Sequence, residues 1–200
     1  KIYKLDKPNL EKNILKLIKE NINKNKRYNH LLRIAVNNKT ISISLRKRIK
    51  PKLKFNLKLI NYKRKKPEFK NLKYQFILKH LSKMNNLISD IGLCNKGKIF
   101  ESGTSNLLFV KKDKIFSPVD KIYKGITYNF FKKKLKKIYK KNILIKSLYE
   151  YDEIILIGSG KGVTSVDTVK DIKWTRKSFK KYRFLSAYYN AEIKKCLVYR

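Results

Sequence analysis

A formal net charge of +38 on 200 residues sets the hardest condition on this chain. Any fold it takes must bury an apolar core while carrying 52 lysines and arginines against only 14 acidic residues. An excess of this size usually accompanies nucleic-acid binding. Its distribution argues otherwise. Lysine far outnumbers arginine and runs through the whole chain, together with abundant Asn, Ile and Tyr, all residues with AT-rich codons. That is the mark of genome composition more than of a selected basic face. A nucleic-acid surface concentrates its charge and favours arginine for bidentate contacts. Here the arginines are scattered, with Arg46, Arg48 and Arg64 near one another in sequence. Weak affinity for polyanions at low salt follows from charge alone. No specific nucleic-acid partner is expected.

The chain can nevertheless fill a core. Hydrophobic residues make up 42% and aromatics 12%, which excludes general disorder. The length allows one large domain or two small ones. Cys94 and Cys196 are too few for a disulfide framework and have no metal-ligand spacing, so a reducing, cytoplasmic setting is expected and a metal is not. No apolar run approaches the ~18–20 residues of a membrane span. The run Ile154-Ile-Leu-Ile157 suits a buried strand. No secretory leader is visible. The first residue is Lys and not Met, which reads as a natural start that is missing.

Apolar spacing predicts a helix over 8–24, two strands over 30–36 and 40–45, and a basic linker with Pro51. A strand over 55–62 follows, then a basic loop, a helix over 74–88 and a strand over 91–94. Strands are predicted at 99–100, 107–110 and 115–116, with a hairpin turn at 111–114. A long amphipathic helix is predicted from Lys124-Gly-Ile-Thr127 to about Tyr139. Strands over 143–146 and 153–157, an extended stretch over 163–169 and a helix over 177–195 complete the chain. Strands and helices mix without strict alternation, so the class is α+β.

Four local features could carry chemistry, and each has an ordinary reading. Gly158-Ser-Gly-Lys-Gly162 follows an apolar strand but matches neither a P-loop nor a dinucleotide fingerprint. It is a glycine-rich turn or a backbone shaped to approach an anion. Gly125-Ile-Thr127 opens a predicted helix, where free N–H groups favour phosphate, or where Thr simply caps. Taken singly, Lys79 is one lysine among many, His80 a packed or surface histidine, and Glu101 a surface carboxylate or a local salt-bridge partner. Glu101, however, opens the compact polar run Glu101-Ser-Gly-Thr-Ser-Asn106, which ends in Leu107-Leu-Phe-Val110.

Taken in order, the helix at 79–86, the Glu101 run, Phe116-Ser-Pro118, Lys124-Gly-Ile-Thr127 and Asp152–Ser159 with Gly162-Val-Thr-Ser-Val166 resemble the class IV aminotransferase family. These are the fold-type IV pyridoxal-phosphate (PLP) enzymes, and the likeness covers about Phe55 to the C-terminus. It implies a two-domain α+β fold: a truncated small α/β domain over 1–50, a linker over 51–54 and a large PLP-binding domain over 55–200. It implies a small-molecule substrate, a homodimer and no membrane partner. Residue by residue, Lys79 corresponds to the lysine that bonds covalently to PLP and then moves the proton. Glu101 corresponds to the partner of the pyridine nitrogen. Ile126 and Thr127 correspond to the phosphate holders, with Ser159 a second hydroxyl donor.

The likeness also has departures. Met84 stands where aminotransferases often carry Tyr, and Tyr128 where the family has Arg. No arginine pattern of the phosphate-clamping kind precedes Lys79. Lys79-His80-Leu81 resembles the aminodeoxychorismate lyases, which serve folate synthesis by making 4-aminobenzoate and pyruvate. Branched-chain or D-amino-acid aminotransferase chemistry is the alternative, and a basic RNA-binding protein a further one.

Overall fold

The structure, a computed structural model, describes residues 8–23, 25–26, 28–69, 73–119 and 122–196. The chain divides into two compact units between Arg48 and Ile49. In the first, helix α1 (Leu10–Asn21) precedes a two-stranded antiparallel hairpin of β1 (His30–Val36) and β2 (Ile41–Lys47). Leu32 pairs with Leu45, Ile34 with Ile43 and Val36 with Ile41, so the apolar side chains share one face.

The second unit, Ile49–Cys196, is built on two sheets. One has the order β13 (Trp174–Thr175), β12 (Thr168–Val169), β3 (Asn56–Asn61), β4 (Ser89–Asn95), β5 (Lys98–Ser102), β9 (Ile143–Leu144). The other has the order β11 (Gly162–Ser165), β10 (Glu153–Gly158), β6 (Asn106–Lys111), β7 (Lys114–Pro118), β8 (Tyr139–Lys141). The two-residue period of strands explains the layering. On β6, Leu107 and Phe109 join a central cluster shared with the first sheet, while Leu108 and Val110 face the opposite way. On β10, Ile154 and Leu156 point inward and Ile155 and Ile157 outward. The outward cluster is covered by α3 (Ile126–Lys134) and α4 (Lys180–Lys194) through Phe131 and Leu185. The far side of the first sheet, Ile91 and Leu93, is covered by α2 (Gln75–Leu81) through Ile77 and Leu81. Among the described residues no helix is long and apolar enough to cross a membrane.

Two helices are shorter than periodicity predicts. The helix expected over 74–88 stops at Leu81. Beyond it, Asn85 turns the chain: its side chain accepts the Leu87 N–H at 3.0 Å and its carbonyl accepts the Ser89 hydroxyl at 2.8 Å. The helix expected to reach Tyr139 ends at Lys134, with Leu135 already extended. Continuing the helix would set Lys132 against Lys136 and Lys133 against Lys137 at like-charged i,i+4 spacing, and Tyr139 pairs instead with Phe116 as a parallel strand. The strands at Tyr139–Lys141 and Trp174–Thr175 have no counterpart in the sequence reading.

One buried carboxylate fixes the terminal helix. Glu153, on β10, accepts the N–H groups of Lys181 and Tyr182, each at 2.8 Å, while Ser178 Oγ accepts the Lys180 N–H. The first turn of α4 is thus capped from across the sheet. Glu153→Ala is expected to lower stability by about 2–3 kcal/mol, because both bonds are charge-assisted. Urea unfolding checks this, and a change near zero would contradict the capping role.

Candidate functional site

The turn between β5 and β6 is wound on its own hydroxyls. Ser102 Oγ accepts the Ser105 N–H at 2.7 Å and the Thr104 N–H at 3.2 Å, and the Ser102 N–H donates to the Ser105 carbonyl at 2.9 Å. Gly103 lies against β4, donating its N–H to the Ile91 carbonyl at 2.9 Å. A Cβ there would come within 2.7 Å of Ile91 Cγ1, so only glycine fits. From the neighbouring strand, β10 delivers Ile157, Gly158 and Ser159. Gly158 passes so near this turn that a Cβ would stand 2.9 Å from Ser105 Oγ.

A third segment closes the site. The loop into α3 is suspended from β5 and β6 by three hydrogen bonds. Asn106 Nδ2 donates to the Tyr123 carbonyl at 2.6 Å, Asn106 Oδ1 accepts the Gly125 N–H at 3.1 Å, and Glu101 Oε2 accepts the Tyr123 N–H at 3.2 Å. This brings the start of α3 to a cavity of about 220 Å³. Arg64, Glu101, Asn106, Thr127 and Ser159 are among its polar walls. The Asn129 N–H closes the first helical turn on Gly125. The amides of Ile126, Thr127 and Tyr128 then have no carbonyl within the helix to bond, and the helix dipole adds positive potential at the same place.

Glu101 is buried. Burial pushes its carboxyl up to about 7, against the opposing pull of the Arg64 guanidinium and the Tyr123 N–H. Arg64 Nε lies 3.0 Å from Glu101 Oε1, an ion-pair contact whose N–H is not aimed along the line of a hydrogen bond. Arg64 Nη2 donates to the Gly103 carbonyl at 2.9 Å. One arginine thus holds the carboxylate and the glycine turn together.

The structure brings Glu101, Ile126, Thr127 and Ser159 to one cavity. Thr127 is buried, whereas Ile126 is exposed. Lys79 is not brought there. It is exposed on α2, which buries Ile77 and Leu81 instead, so the desolvation a reactive lysine needs is missing. The cause is the frame of the helix: the apolar residues that anchor it against β4 turn Lys79 outward. Among the described residues no lysine lines the cavity. Lys161, in the glycine-rich turn, is buried and pairs with Asp90 rather than facing the cavity. Arg64 and Asn106 went unassigned in the sequence reading. The available signals were that Arg64 is the only arginine between Arg48 and Arg176, and that Asn106 is the last polar residue before an apolar strand.

Residues 1–169 match the family model for class IV amino-transferases. No curated protein matches the chain. Among solved structures, a provisionally named branched-chain amino acid aminotransferase from Thermotoga maritima superposes with a TM-score of 0.63 at 19% identity, over 78% of this chain and 62% of its own. A branched-chain amino acid aminotransferase from Thermobaculum terrenum, solved in its PLP form, gives 0.60 at 18%, over 78% of this chain and 57% of its own. A provisionally named 4-amino-4-deoxychorismate lyase from Haemophilus somnus gives 0.55 at 20%, over 80% of each chain. At these identities the likeness is one of fold, and this chain spans less than two thirds of either aminotransferase.

The pH dependence of stability reports on Glu101. Unfolded, its carboxyl ionises near 4.5, and folded near 7. Its contribution is therefore full below 4.5 and is lost as pH rises through 7. Glu101→Gln removes that slope. From pH 4.5 to 8 the variant should gain on the wild type by about 2–3 kcal/mol in urea unfolding. Parallel pH profiles would contradict the burial argument.

Proposed function

We propose that this chain, which belongs to the class IV aminotransferase family, is a pyridoxal 5'-phosphate enzyme that works at this cavity and carries out 4-amino-4-deoxychorismate lyase chemistry. The observation that carries the reading is convergence. A buried carboxylate, a helix start and a serine from a separate strand face one space. The donor set fits the cofactor. A helix N-terminus with a threonine and a serine nearby suits a phosphate dianion. A buried carboxylate suits a protonated ring nitrogen. Glycines at 103 and 158 let backbone come close where a Cβ would collide. The PLP form of the Thermobaculum terrenum enzyme supports the same reading.

Bound there, the cofactor supplies an electron-accepting ring that takes up the pair left when a bond at the substrate's amino-bearing carbon breaks. The remaining work falls to this chain. The amides of Ile126 and Thr127 and the hydroxyls of Thr127 and Ser159 hold the phosphate. Glu101 keeps a proton on the ring nitrogen, and a cation beside it draws its carboxyl back to the ionised form. Arg64 and the Tyr123 N–H hold that carboxylate in orientation. The reading needs a lysine that bonds to the cofactor and moves a proton, and the exposure of Lys79 argues against it. We assign this role to Lys70, in the connector 65–73 between the cavity residues Arg64 and Tyr74, because Lys65, Lys66 and Lys73 are as exposed as Lys79.

The lyase reading is supported by the likeness of fold to the Haemophilus somnus structure. In that reaction the lysine takes the ring proton, pyruvate departs and 4-aminobenzoate forms. The TM-score of 0.63 with the Thermotoga maritima structure favours an aminotransferase as the second reading, which would release a keto acid instead. A homodimer in the cytoplasm, supplying folate synthesis, belongs to the same proposal. Purified protein given PLP and aminodeoxychorismate should release 4-aminobenzoate and pyruvate in equal amounts. Keto-acid release from branched-chain or D-amino acids, with no 4-aminobenzoate formed, would overturn the lyase assignment.

A further inference from the structure

Beside the cavity lies an ion pair that no role above uses. Asp90, on β4, is fully buried, and Lys161, in the turn between β10 and β11, is nearly so. Lys161 Nζ donates to Asp90 Oδ2 at 2.9 Å, and its ammonium also sits over the Phe55 ring, 5.0 Å from the centroid. The same Oδ2 accepts Thr104 Oγ1–H at 2.6 Å and lies 3.2 Å from Ser102 Oγ, while Oδ1 accepts the Ile91 N–H at 2.7 Å. The carboxylate is therefore satisfied on all sides. The Lys161 carbonyl is held in turn by Thr164 Oγ1–H at 3.1 Å.

The pair joins two turns at the same end of the neighbouring strands β6 and β10. One is 102–105, between β5 and β6, which carries Thr104 and Ser105 to the cavity. The other is 158–162, which carries Ser159. Their separation is already at contact, since a Cβ on Gly158 would meet Ser105 Oγ at 2.9 Å. A turn rich in glycine has little intrinsic rigidity, and 158–162 contains Gly158, Gly160 and Gly162. An apolar contact would hold it less specifically than a directed charge pair. Burying two charges carries a large desolvation cost, so the pair is a poor device for stability alone and a good one for fixing position.

We propose that Lys161 and Asp90 are positioning residues: a buried strut that locks the Ser159 turn against the Thr104–Ser105 turn and so sets the phosphate end of the cavity. The inference rests on the cofactor reading above. Lys161 acts through Ser159 and touches no ligand itself.

The test uses the double variant Asp90→Asn with Lys161→Met, because a single substitution would strand a buried charge and could unfold the chain. The amide introduced by Asp90→Asn keeps a carbonyl oxygen that can still accept from Thr104 or from the Ile91 N–H. Two measurements are made on the full chain. The first is the affinity for PLP and, separately, for pyridoxal, which lacks the phosphate. The second is amide hydrogen exchange of the protein without cofactor. The strut predicts that PLP affinity falls about tenfold, the worth of one charge-assisted hydrogen bond, with pyridoxal affinity unchanged. It also predicts faster exchange at 103–105 and 159–162, with the centres of β6 and β10 still protected. Equal loss of both ligands, wild-type PLP affinity or unchanged turn exchange would each overturn it. If the wild type binds no PLP, the cofactor reading fails, and the exchange arm alone decides the strut.

Discussion

The cavity depends on one buried carboxylate. Glu101 leaves water at the end of β5, and three neighbours organise around it: Arg64 from the segment after β3, the Tyr123 N–H from the loop into α3, and the turn at Gly103 that Arg64 also holds. Without that carboxylate, Arg64 would lose its ion-pair partner, and the loop that aims α3 at the cavity would hang from Asn106 alone. Burial raises the Glu101 carboxyl to about 7, against the opposing pull of Arg64 and the Tyr123 N–H. A group so poised is well matched to a positively charged ring.

The same economy appears elsewhere. In a chain with only 14 acidic residues, Asp90, Glu101 and Glu153 are buried, and each binds together elements that no apolar contact would fix so directionally. Glu153 caps α4. Asp90 holds Lys161 and the hydroxyls of the 102–105 turn. Glu101 gathers the cavity walls. The positive excess that dominates the composition therefore tells less about this molecule than the placement of its few carboxylates.

Much of the frame was legible in the sequence because short apolar runs bounded by polar residues are a local signal. Leu107–Val110 and Ile154–Ile157 read directly as buried strands, and Glu101, Thr127 and Ser159 could be expected near one another from the order of motifs. What failed was helical length and orientation. Asn85 ended α2 through side-chain bonds, and a lysine run ended α3. The residues flanking Lys79 turned it to solvent, a matter of which helix face meets β4 and not of motif. Arg64, Asn106 and Asp90 escaped notice because their roles depend on contacts between segments far apart in sequence: 37 residues from Arg64 to Glu101 and 71 from Asp90 to Lys161.

The central claim is that this cavity holds pyridoxal phosphate with a lysine supplied by the connector between Arg64 and Tyr74. Borohydride reduction of the protein loaded with one equivalent of the cofactor, followed by peptide mapping, tests it most directly. The account predicts a single phosphopyridoxyl group per chain, on Lys70 within residues 65–73. A label on Lys79, or one scattered over the surface lysines, would contradict it.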